Sequence, residues 1–192
     1  SSRLTKSFKE QSGKSMFQAP IRFLGFQNGV VSSEKLVATL GGALAILFCF
    51  YITSLYTGAN GAAAILPSMG ASTVLLFAVP HGQLSTPWAF LAGNLLSAGI
   101  GVTCWKFVGP VLLAAPLAVA FSILIMHVTR SLHPPGGATA LAAVIGGPSI
   151  HELGYWYVIT PTLLNCCVLF SVAMLFNNLF SWRKYPQSLM RY

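Results

Sequence analysis

Between Leu36 and Phe180 the chain carries three charged residues, Lys106, Arg130 and Glu152. No other feature limits its fold so strongly. A soluble domain gives about a quarter of its residues to charge; this chain gives 7%, with 55% hydrophobic. Lipid is the solvent that such a stretch requires. The chain is therefore expected to be an all-α membrane protein.

Four apolar runs are long enough to cross a bilayer, which takes about twenty residues as a helix. They are Leu36–Tyr56, Trp88–Phe107, Val111–Val128 and Trp156–Leu179. Trp88, Trp105, Tyr155 and Trp156 fall near run ends, where aromatic belts belong. Two shorter runs, Pro67–Val79 and Pro134–Gly146, have thirteen residues each. Each would make about 20 Å of helix, which suits a broken or re-entrant helix enclosed by protein.

The short runs resemble each other. Pro67-Ser68-Met69-Gly70-Ala71-Ser72 aligns without a gap to Pro134-Pro135-Gly136-Gly137-Ala138-Thr139, 67 positions on. Two internal repeats are implied, about 35–107 and 110–180, each in the order long, short, long. Paired interrupted helices in two halves point to a transporter site. If the short runs cross, the repeats are inverted; if they are re-entrant, the repeats are parallel.

The net charge of +8 gathers at the ends. Residues 1–34 form a basic arm, in which Phe17–Phe26 is expected to dip into the headgroup layer. Residues 181–192 form a basic tail with Arg183, Lys184 and Arg191. Positive-inside topology and attraction to membrane lipids explain this charge. No recognition motif accompanies it, so no nucleic-acid partner is expected. The Ser- and Lys/Arg-rich, acid-poor start looks like the mature edge left by a removed transit peptide. Cys49, Cys104, Cys166 and Cys167 lie in apolar runs without zinc spacing and read as small buried hydrophobes. Paired carboxylates, a Cys–His pair at readable spacing and a P-loop are absent. No enzyme, catalytic residue, cofactor or metal is expected.

The candidate site lies at the two short runs. A helix starting at Gly70 or Gly137 would present unpaired N–H groups in its first turn. Such an end is an anion site when enclosed in a membrane. Gly70, Ala71 and Ser72, with Gly136, Gly137, Ala138 and Thr139, would form the two halves. Arg130 would partner the anion or lock the break. His133 would cap the helix or carry a proton, and capping is the expected role. Asn94 faces the protein interior, with a pathway role as its second reading. Close packing of small residues is the competing explanation for both runs.

Thr129-Arg130-Ser131-Leu132-His133-Pro134-Pro135-Gly136-Gly137-Ala138-Thr139-Ala140, with GASTVLLFAVP, STPW and GNLLSAGIGV upstream, resembles the signature of the HPP family of integral membrane proteins. The likeness covers about residues 35–180. It implies small proteins with four predicted spans. Plant members similar to this chain are implicated in nitrite transport across the chloroplast envelope. The resemblance thus implies a nitrite or similar small-anion transporter of the inner envelope. Proton symport is a further expectation, since nitrite and a proton together are neutral and cross lipid at lower cost, and so few spans suggest a homo-oligomer that shields the short helices. The alternatives are a non-transporting scaffold or assembly subunit and a channel for a small neutral solute.

Overall fold

The computed structural model describes residues 29–186. The interfacial stretch expected at Phe17–Phe26 and the end of the basic tail lie outside them. Internal contacts divide the chain into two units, Ser1–Glu34 and Lys35–Tyr192. In the first, the described residues end with the opening turn of the first helix. The second holds the membrane-spanning helices.

The main helices among the described residues are α1 Ser32–Ala78, α2 Pro87–Val108, α3 Val111–Val128, α4 Pro135–Ile145, the single turn α5 Pro148–His151, and α6 Leu164–Asn178. Among the described residues, four helical segments are long and apolar enough to cross a membrane, and α4 is a shorter apolar helix. The chain is an all-α membrane protein.

The forty-seven residues of α1 are not one rod. Gly58 sits at φ 67°, ψ 175°, a conformation that only glycine adopts without strain. The chain turns back there. Gly41 lies against the Phe77 ring, and Gly42 against the Thr73 methyl. Residues on either side of Gly58 therefore face each other in descending and ascending order, as in a helical hairpin. We call its arms α1a (32–57) and α1b (59–78).

This corrects the expected short helix at Pro67. The arm α1b starts at residue 59 and has about 30 Å of rise, enough to span the apolar layer. Pro67 lies inside it. Its ring removes one backbone donor, but the surrounding turns continue. No helix begins at Gly70.

The remaining directions are set by cross-contacts. The Trp88 indole N–H donates to Thr129 O at 3.0 Å, so α2 and α3 are antiparallel. Gly93 packs on Ser131 and His133, and Gly101 packs on Ala140 and Ala143, so α4 runs parallel to α2. Gly41 meets Phe176, and the Thr53 hydroxyl donates to Asn165 Oδ1, so α1a and α6 are antiparallel. With α1a taken as down, the first half runs down, up, down and the second up, down, up. That is the inverted arrangement. Ser68 Oγ lies 2.8 Å from Pro135 O, and these two positions are the equivalents 67 apart. Equivalent positions touch where a pseudo-twofold axis passes.

The inversion places Lys35, Arg130, Arg183 and Lys184 at one end of the bundle and Lys106 and Glu152 at the other. The tail is not all loose charge. Arg183 is 1% exposed. Its guanidinium donates to Phe77 O at the end of α1b and to Asn177 Oδ1 at 2.9 Å. Cys49, Cys104 and Cys166 are buried as expected, whereas Cys167 is exposed.

Candidate functional site

The packing of α1b, α2 and α4 needs small residues. A Cβ on Gly136 would fall 2.7 Å from Gly93 O, and one on Gly101 would fall 2.4 Å from Ala140 O. At this close approach the three helices bring polar side chains into direct contact. Ser68, Asn94, Ser97 and Thr139 are fully buried. Thr139 Oγ1 donates to Asn94 Oδ1 at 2.7 Å, and the Ser68 and Thr139 hydroxyls share a short hydrogen bond. Asn94 Nδ2 donates to Phe90 O at 2.9 Å. The Tyr157 hydroxyl, from the start of the last span, donates to Thr139 O at 2.9 Å. None of these side chains carries a charge.

One member is unsatisfied. Ser97 Oγ is buried and has no hydrogen-bond partner. It stands 2.8 Å from where a Gly136 Cβ would sit, facing the first turn of α4. Ser97 is one helical turn from Asn94, on the same side of α2. A buried hydroxyl without a partner is costly, and this one stands beside Asn94 in the cluster. A second polar group lies between α1a and α6, where the Thr53 hydroxyl meets Asn165 Oδ1 and Asn165 Nδ2 is buried without a partner.

His133 lies between two connections, residues 79–86 and 129–134, outside the spanning helices. Its Nδ1 is 2.8 Å from Leu84 O and its Nε2 is 2.9 Å from Ser72 Oγ. A carbonyl only accepts, so Nδ1 carries the proton and Nε2 accepts from the Ser72 hydroxyl. Both nitrogens are engaged, which gives His133 a clamping role. Burial pushes its pKa from 6.5 down to about 4. The folded state thus favours the neutral ring. This contribution is complete above pH 6.5 and is lost as pH falls through 4. Thermal unfolding of the detergent-solubilised protein should show a flat midpoint above pH 6.5 and a falling one toward pH 4. His133→Gln, which cannot titrate, should flatten the slope.

The other sequence-predicted residues divide by location. Ser72, Asn94, Gly136 and Thr139 are buried between the helices, and His133 is buried in the connection before α4. Gly70 and Ala71 lie on the outer side of α1b. Gly70 borders a hollow between the hairpin arms, and Ala71 is exposed. Gly137 is half-buried, and Ala138 lines a shallow groove with Ala63 and Pro67. Arg130 is exposed in the connection before α4, with φ 55°, apart from the buried residues. The expected amide cradle also differs. The Gly136 N–H already donates to His133 O at 2.8 Å and the Gly137 N–H to Pro134 O at 3.0 Å. Pro134 and Pro135 have no N–H, so donors at this site are side-chain hydroxyls. Ser68, Ser97 and Tyr157 were not foreseen. The signal for Ser68 was its place in the first motif copy, and for Ser97 its spacing from Asn94.

Residues 27–186 match the family model described as HPP, transmembrane region. The chain belongs to the HPP family. Two Dictyostelium discoideum proteins, each named only as a transmembrane protein, are similar to this HPP protein. One is 36% identical over 126 residues, covering 64% of this chain and 44% of its own length. The other is 35% identical over 126 residues, covering 64% and 40%. The HPP chain thus spans less than half the length of these relatives. No solved structure matches it.

Proposed function

We propose that this HPP protein carries nitrite or a similar small anion across an organellar membrane, the chloroplast inner envelope, and moves it together with a proton. The observation that supports this is the buried cluster of Ser68, Asn94, Ser97 and Thr139, where equivalent segments of the inverted halves meet, with the Ser97 hydroxyl unpartnered. Small hydroxyl and amide groups suit a guest of two or three heavy atoms with oxygen acceptors. The cluster has no cation to balance a bare anion, whose desolvation would be expensive. An anion and proton passing as a neutral pair avoid that cost. The end holding Lys35, Arg130, Arg183 and Lys184 would face the stroma under the positive-inside tendency. The protein acts by binding and conformational change, without catalysis.

The same charge-free lining favours a second reading, a channel for a small neutral solute. Flux with no dependence on a pH gradient would favour it.

Ser97→Ala separates transport from folding. The hydroxyl has no partner inside the protein, so its removal should leave the thermal midpoint unchanged or raise it. Nitrite uptake into proteoliposomes should fall about three- to tenfold, the loss of one hydrogen bond to the solute. Full uptake in Ser97→Ala would place the solute elsewhere.

A further inference from the structure

At the end of the bundle away from Arg130, a depression of about 580 Å³ lies between the end of α2 and the segment joining α5 to α6. Its wall holds one cation and one carboxylate, Lys106 and Glu152, both exposed. The Lys106 ammonium lies 5.0 Å over the Tyr155 ring. Gly154 permits this arrangement: at φ 52° it turns the chain beside the ammonium, where a Cβ would come within 3.3 Å of Lys106 Nζ. The opposite wall is held firmly. Trp105 stacks on His151 with ring centres 4.2 Å apart, and His151 Nε2 lies 3.0 Å from Val144 O.

An apolar hollow lies next to this polar basin. Thr103 Oγ1 and the Tyr155 hydroxyl are 3.0 Å apart. Thr103 also lines a hollow of about 520 Å³ between α2 and α3, walled by Ile100, Phe107, Phe121, Leu124 and Val128. A site with two opposite charges thus stands beside a groove along the apolar face, with the Thr103–Tyr155 contact between them.

We propose that this end of the protein binds one glycerophospholipid with an amine-bearing, zwitterionic headgroup. The phosphate takes a charge-assisted hydrogen bond from Lys106. The amine rests between the Glu152 carboxylate and the face of Trp156, as cations do on aromatic rings. An acyl chain fills the groove between α2 and α3. Charge complementarity selects this occupant. A free phosphate or an anionic lipid would satisfy Lys106 and be repelled by Glu152, whereas a zwitterion satisfies both. The proposal does not depend on the transport reading, because none of these residues belongs to the buried cluster.

Intact-complex mass spectrometry of the full chain in detergent tests it, with phosphatidylethanolamine, phosphatidylglycerol and soluble O-phosphoethanolamine as probes. The wild type should retain one phosphatidylethanolamine per chain, in clear preference to phosphatidylglycerol. Lys106→Met should weaken retention about tenfold, the loss of one charge-assisted hydrogen bond. Glu152→Gln should remove the preference between the two lipids. Ile100→Trp, which fills the groove, should weaken the lipids and spare O-phosphoethanolamine. Both charged residues are exposed, so their substitution leaves the fold intact, which an unchanged thermal midpoint would verify. Equal retention of the two lipids by the wild type would overturn the proposal, as would unchanged retention in Lys106→Met. Binding of O-phosphoethanolamine as tight as the lipid would overturn it too, and would assign the basin to a soluble phosphate compound.

Discussion

Gly136→Ala should destabilise the protein and abolish transport, whereas Gly137→Ala should be tolerated. The two glycines are adjacent in one motif, yet their surroundings are opposite. A Cβ at Gly136 would fall 2.7 Å from Gly93 O, 2.8 Å from Ser97 Oγ and 3.1 Å from Gly93 C. Two of those atoms are backbone, and backbone cannot rotate away. The start of α4 must move off α2, which breaks the Thr139–Asn94 hydrogen bond. Overpacking of this kind costs about 1–3 kcal/mol, and the cluster is lost with it. At Gly137 nothing lies within 4 Å of the same added atom. Gly70 is likewise open, so Gly70→Ala should behave as Gly137→Ala does. Thermal midpoints in detergent, with uptake in vesicles, distinguish the three variants. Equal loss in Gly136→Ala and Gly137→Ala would contradict the packing described here.

Arg183→Ala should cost on the order of 3 kcal/mol, from hydrogen bonds made by a charged donor to buried acceptors. The arginine joins three elements. Its guanidinium reaches Phe77 O at the end of α1b, and both Nε and Nη2 reach Asn177 Oδ1 on α6. Asn177 Nδ2 in turn donates to Leu76 O at 3.1 Å. Removing the guanidinium takes this donor from Phe77 O in the last turn of α1b and both of its bonds from Asn177 Oδ1. Arg183→Lys should not restore the midpoint, because one ammonium cannot serve the same fork of acceptors. A midpoint within about a degree of wild type for Arg183→Ala, where about 3 kcal/mol should move it by several degrees, would show that the tail contributes little to stability.

The spans were legible because lipid leaves a simple record, a run of apolar residues. Val111–Val128 has the expected bounds, and Trp88–Phe107 differs by one residue at each end. The hairpin in α1 was less legible. Pro67 looked like a helix start because proline favours first turns, but it is tolerated inside α1b. The true break, Gly58, stands among small residues in TGANGAAA, where glycine usually signals packing.

The site was legible in part for the same reason. Duplicated motifs pointed to Ser72, Thr139 and Gly136, and an amide in an apolar run pointed to Asn94. Which atoms would face the site depended on helix phase. Gly70 and Ala71 share a motif with Ser72 but lie on the outer side of α1b. Ser97 was harder to read, since a lone serine in a membrane helix is ordinary and only its spacing from Asn94 sets it apart. Arg183 read as a headgroup anchor from charge alone. Its burial depends on the fold of the C-terminal turn back onto α1b, which periodicity does not encode.

Nitrite uptake into proteoliposomes of the purified full chain, with and without an imposed pH gradient, tests the central claim most directly. The account predicts saturable uptake that a proton gradient directed inward accelerates. It also predicts that Ser97→Ala slows uptake without lowering the thermal midpoint. No uptake by folded wild-type protein under either condition would contradict the transport reading and favour a scaffold or assembly subunit.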